Sequence, residues 1–291
     1  MSWLEEFEEE LKARHVRPAV RERLVTELAD HIACEQEASP PAAATQLGAP
    51  REIAGQCAEE LATHDARRGA VGAFLALAAT GVVFLVQQAT LGRTGYPGFD
   101  HGYSTPLALI AILAFVVGSQ VALVCGVLAA WRAVRRGGVP VLPAAEIALL
   151  RRRTTIGLGA GLVTTTGLLL YVVNFIGVLP VWWLALCGTL AAGATVALAA
   201  ALRTLRQGAS TLALAEGPAG DLYDDIPPLR ALRPHPLALW ALATLLVGGI
   251  VTVGAWHAEH SLVEGFERGG FEVLALSAGF ALFGRAIGAR R

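Results

Sequence analysis

His257-x-Glu259-His260 is the one cluster of histidine and carboxylate in the sequence with metal-ligand spacing. Two histidines three apart share a helix face. With Asp100-His101 from another segment they would offer the nitrogen and oxygen donors that Zn²⁺ takes. The order is not the HExxH of a zinc protease, where a glutamate between two histidines acts as base. A solvated His/Glu group needs no metal, so no metal site is assigned. Glu27 and His31, four apart, would meet on a helix surface, a contact worth about a few tenths of a kcal/mol. An enzyme needs a positioned nucleophile, an acid–base pair or a metal at the reacting atoms. No such set is present, so no catalytic or cofactor-binding residue is assigned and no enzymatic activity is expected. The cysteines at 34, 57, 125 and 187 form no CxxC, and they read as small apolar residues.

The remaining polar candidates lie among or between long apolar runs. Gln87, Gln88, Gln120 and Asn174 are expected to make hydrogen bonds between helices. The segment Arg132–Arg153 gathers six arginines around Glu146, a composition suited to the anionic headgroups of membrane lipid. Asp221-Leu-Tyr-Asp-Asp225 is an acidic patch that reads as a solvated turn.

The elements that carry these residues are set by hydropathy. Of 291 residues 54% are hydrophobic and 16% charged, and the mean hydropathy is +0.53. An ordinary soluble domain has about 25% charged residues. Six apolar runs reach spanning length: 69–91, 105–131, 154–175, 181–202, 237–257 and 271–289. The first is about 34 Å long as a helix at ~1.5 Å per residue, against a hydrocarbon core of about 30 Å. Charges within them fall near the ends, at Glu272 and Arg285. The expected fold is therefore all-α, a six-helix membrane bundle over 67–291 behind a small helical domain over 1–66.

Arginine placement sets the orientation. With both termini in the cytoplasm, inside segments hold 15 arginines and outside loops only Arg93 and Arg268, as the positive-inside rule requires. The predicted location is the cytoplasmic membrane. Gly157-x-x-x-Gly161 and Gly284-x-x-x-Gly288 have the spacing that brings helices close. They admit a homo-oligomer, although packing within one bundle is the more ordinary use of such a spacing.

Residues 1–68 carry eight Lys/Arg against fourteen Asp/Glu, a balance of −6, while the rest of the chain is at +5. An acidic domain repels phosphate, so nucleic acid is not expected as a partner. The start is acidic and amphipathic, which is not the pattern of a signal peptide. Ser2-x-x-Glu5 is a capping box ahead of Trp3, Leu4, Phe7 and Leu11. Pro18 opens a second helix with Val20, Leu24, Leu28 and Ile32 on one face. A short helix follows Ser39-Pro40-Pro41 and stops at Leu47-Gly48. Pro50 opens a fourth, with Ile53, Cys57 and Leu61 on one face, which leads into the first span with little linker.

Glu27-Leu28-x-x-His31, the acidic and alanine-rich stretch after it, and Leu47-Gly48-x-Pro50-x-x-Ile53-Ala54 resemble the HAAS domain, also called the permease prefix domain. The resemblance covers about residues 3–66. It departs at Ser39-Pro40-Pro41, where members of that family often have glycine. It implies a small helical bundle ahead of membrane helices, a regulatory or signalling role, and often a PadR-type repressor encoded nearby. The expected function is a multi-pass membrane protein whose cytoplasmic domain, residues 1–66, meets a protein partner. The alternative is a permease subunit working with a separate ATPase, since the chain has no G-x-x-x-x-G-K-[ST] loop.

Overall fold

The computed structural model describes residues 2–38, 48–93, 106–173, 180–207 and 226–283. Among them are eight α-helices, one 3₁₀ helix and no strand. Helix α1, Trp3–Ala13, starts on the expected capping box. Glu5 N donates to Ser2 Oγ at 3.2 Å and Ser2 N donates to Glu5 Oε2 at 2.6 Å, so two of the amides left over at the helix start are satisfied. Helix α2 spans Pro18–Ala38. Phe7 and Leu11 bury against Ala54, with Trp3, Val16, Leu24, Val25 and Leu28 around them. The short helix expected before Gly48 falls on residues outside those described. Gly48 itself has φ +84°, the left-handed geometry expected of a helix stop, and its carbonyl accepts from Trp3 Nε1 at 3.0 Å.

Helix α3 begins at Pro50, as expected, and runs unbroken to Arg93, 44 residues. At ~1.5 Å per residue it is about 66 Å long, twice what a bilayer core needs. It packs on α1 and on helices α4, α5 and α6. These are Pro106–Arg135, Ala144–Val173 and Val181–Gln207. The 3₁₀ helix Pro227–Leu232 leads into α7, Pro236–Glu259, and α8, Leu262–Phe283. The most extensive pair is α4–α5, and α7–α8 form a hairpin that joins the others mainly through α8 against α4, with Leu239 of α7 also packed on Leu128 of α4.

Among the described residues three helical segments are long and apolar enough to cross a membrane: Ile110–Arg135, Val181–Arg203 and Pro236–His257. The other three expected runs fall on α3, α5 and α8, and each extends in part beyond the residues or side chains described. Gly157-x-x-x-Gly161 is used inside the bundle. A Cβ on Gly157 would lie 3.4 Å from Cys125 Cβ, and one on Gly161 would lie 2.5 Å from Leu77 Cδ2. Residues 284 and 288 lie outside the description.

The last helix differs from expectation. It starts at Leu262, nine residues before the expected start at Phe271. His260 takes φ 54° and turns the chain at once. Glu264 N donates to Ser261 Oγ at 3.4 Å and Gly265 N to Ser261 O at 3.2 Å, which caps α8. Glu264, Glu267 and Arg268 lower the local hydropathy and so resemble a loop, yet Glu and Arg are good helix formers. The expected outside loop is a two-residue turn. Glu272, placed near a span end by hydropathy, is the eleventh of 22 residues in α8.

Candidate functional site

The densest set of buried polar contacts lies where α3 meets the arginine-rich ends of α4 and α5. Ala62, Ala66 and Ala70, four apart on α3, form a smooth face. They pack on Ala129 and Ala133 of α4 and on Leu142, Ile147 and Leu150. Such small side chains let backbones come close enough for polar groups to bridge them. Leu142 N donates to Thr63 Oγ1 at 3.0 Å. Arg67 Nη2 donates to Val139 O at 2.5 Å and also to Arg136 O. Arg67 of α3 thereby satisfies carbonyls just past the end of α4, where the helix dipole also favours a cation.

Glu146 is the acidic centre. It stands in the first turn of α5, the end at which a helix dipole favours negative charge. Its Oε1 lies 3.4 Å from Arg132 Nη2 and 3.0 Å from Arg136 Nη2. The Glu146 side chain is 14% exposed and that of Arg132 only 5%, whereas Arg136 is 49% exposed. The Glu146–Arg132 pair is thus a desolvated ion pair. Arg153 is wholly buried. The segment between the two expected spans is thus largely helical and partly buried. Arg132 and Arg135 belong to α4, Arg151–Arg153 belong to α5, and only the short connection between them is irregular. Hydropathy places arginines at helix ends, but it carries no information on which of them another helix covers.

The N-terminal helices reach this site through charge. Arg17, between α1 and α2, lies 3.6 Å from Asp65 of α3, with both side chains about half exposed. Burial lowers the pKa of the Arg151 guanidinium from its ordinary value, Asp65 opposes that shift, and Arg17 adds to it. Asp65 therefore stands between a cation of the N-terminal helices and one of α5. The arrangement joins three helices by ions and hydrogen bonds.

A cavity of about 480 Å³ lies deeper, between α3, α4, α5 and α6. Phe74, Leu77, Leu123, Val127 and Leu168 are among its lining residues. The hydroxyls of Thr80, Ser119, Thr164 and Thr165 also border it, but each donates to a carbonyl of its own helix at 2.9 to 3.2 Å. Their donors are thus directed back into the helices.

The other sequence candidates are dispersed. His257 lies in the last turn of α7 and His260 directly follows the helix, with ring centroids 6.5 Å apart. Among the described residues no group of three or more His, Cys, Asp or Glu could hold a metal. Glu27 accepts from Arg23 Nε at 2.6 Å on the α2 surface. Asp100, His101, Asn174 and Asp221–Asp225 lie outside the described residues, as do the side chains of Gln87, Gln88 and Glu259. Gln120 does bridge helices, donating through Nε2 to Glu272 Oε2. The bond of Trp240 Nε1 to Ser277 Oγ at 3.2 Å, between α7 and α8, has no counterpart among the sequence expectations. An indole in one apolar run and a hydroxyl in the next are the only signals for it.

No family model, no curated protein and no solved structure matches the chain. Its class rests on its own features: the described residues are all-α and include three candidate membrane-spanning helices.

Proposed function

We propose that this chain is a six-span protein of the cytoplasmic membrane with both termini inside, and that residues 1–66 form a regulatory domain whose state is coupled to the bundle. The observation that carries the reading is the continuity of α3 from Pro50 to Arg93. A helix without a break passes a shift or rotation at one end to the other, and the Thr63–Arg67 contacts tie that motion to α4 and α5. The arginine distribution supports the orientation. The HAAS-like residues support the regulatory role, and that resemblance rests on those motif residues alone. Coupling requires an element whose arrangement both regions bias, and the Arg132–Glu146–Arg136 group on α4 and α5 is that element here.

The test is amide exchange in lipid nanodiscs. Glu146→Gln, which leaves the shape of α5 unchanged, should accelerate exchange within residues 3–38 as well as around 129–150. A change confined to 129–150 would show that the N-terminal helices do not read the bundle, and the proposal would fail.

A further inference from the structure

Glu272 and Gln120 occupy the middle of the bundle. Gln120 is the fifteenth of 30 residues in α4, and Glu272 the eleventh of 22 in α8. The depth of Glu272 is fixed independently by α7. A Cβ on Gly248 would lie 2.6 Å from Val273 Cγ2, and Gly248 is at the centre of the candidate span Pro236–His257. A Cβ on Gly269 would collide with Thr252 of α7, so α7 and α8 are in close register on both sides of Glu272. A carboxyl therefore sits level with the midpoints of two apolar helices, which is where ionisable groups are rare and mark function.

The polar surroundings are sparse. The elements packed against α8 are α4 and α7. From Pro106 to Trp131, α4 has no Asp, Glu, Lys, Arg or His, and Cys125 is its one titratable group. From Pro236 to Trp256, α7 has none. On α8, Arg268 stands one turn before Glu272, with Glu264 and Glu267 further toward the start. Gln120 Nε2 donates to the carboxyl, while Gln120 Oε1 is buried with no hydrogen-bond partner. A buried orphan acceptor is costly, and the amide's two ends are interchangeable by a half-turn.

We propose that Glu272 and Gln120 form an intramembrane proton-binding site. A proton taken up on a Glu272 carboxylate oxygen makes an O–H that donates to Gln120 Oε1 once the amide has turned. This satisfies the orphan acceptor and removes a charge that would cost about 2.5–3.5 kcal/mol at mid-membrane. Release of the proton restores the carboxylate and the amide N–H bond present in this structure. Each exchange reverses the direction of the hydrogen bond between α8 and α4, which runs from amide to carboxylate in one state and from carboxylic acid to amide in the other. The inference rests on the membrane reading given above.

The test is infrared spectroscopy of the full chain in nanodiscs at neutral pH. A carboxylic C=O band should be present, be lost in Glu272→Gln, persist in Glu264→Gln, and change frequency in Gln120→Leu. Glu272→Gln keeps the shape of the neutral acid and should fold. Absence of the band in the native chain overturns the proposal, as does a band seen only in Arg268→Gln, which would mean that Arg268 holds Glu272 as a carboxylate. Failure of the membrane reading has a separate signature: amides of 110–131 in the same nanodiscs would exchange freely.

Discussion

The arginine-rich end of α3, α4 and α5 and the α7–α8 hairpin are both built from apolar helices, but they are held by opposite means. In the most apolar window of α4, 39% of residues are buried within the protein, against 11% for α7. The first region neutralises charges by pairing them and covers them with alanine faces. The second leaves Leu245, Ile250 and Val253 exposed, and it is joined to the rest mainly through α8. Mean hydropathy does not separate them, at 2.4 for the α4 segment and 2.1 for that of α7. Burial does, and an apolar helix left uncovered by protein suits a lipid surround, because lipid is as apolar as leucine and offers no reason to hide it.

The largest effect should come from the paired charges. Glu146→Gln leaves Arg132 desolvated without its carboxylate and should destabilise the protein by about 3 kcal/mol, the low end for breaking a buried pair. Unfolding in mixed micelles would measure it. Arg136→Gln should change stability by less than about 1 kcal/mol, since that partner is half exposed. Equal effects would mean that Glu146 is solvated and the two regions are more alike than described here.

Packing comes next. A Cβ on Gly118 would lie 2.6 Å from Thr164 Oγ1 and 3.0 Å from Ala160 O, part of it rigid backbone. Gly118→Val should therefore cost about 1–3 kcal/mol. A Cβ on Gly72 meets nothing within 4 Å, and Gly72→Ala should stabilise α3 by up to ~1 kcal/mol. The same unfolding assay ranks the pair.

Much of the N-terminal architecture is legible in the sequence because its signals are local. Ser2 and Glu5 cap α1, Pro18 and Pro50 open helices, and Gly48 takes the left-handed turn. The spanning runs are legible for a similar reason, since lipid reads composition. The start of α8 is not, because three charged residues mimic a loop while their backbone remains helical. The burial of Arg132 and Arg153 and the depth of Glu272 depend on which helix lies opposite, and no spacing within one segment encodes that.

Smaller effects follow. Ser277→Ala removes the acceptor of Trp240 and should loosen the hairpin by about 0.6 kcal/mol, the mean for such bonds between membrane helices. In the N-terminal helices, burial and then Glu60 raise the pKa of the Cys57 thiol, while Cys34 is exposed. Only the thiolate reacts, so maleimide labelling of Cys57 should set in at higher pH than that of a free cysteine thiol in solution. Because the folded protein holds that proton more tightly, the contribution of Cys57 to stability declines as pH rises past the thiol's unfolded value.

The continuity of α3 can be measured directly. Spin labels at Arg51 and Gly72, both exposed, are 21 residues apart, or about 32 Å along an unbroken helix. In a chain whose native cysteines are replaced by alanine, electron–electron resonance in nanodiscs should give one narrow distribution near that distance. A broad or much shorter distribution would place a hinge near Arg67 and Arg68 and would contradict the coupling of the N-terminal helices to the bundle.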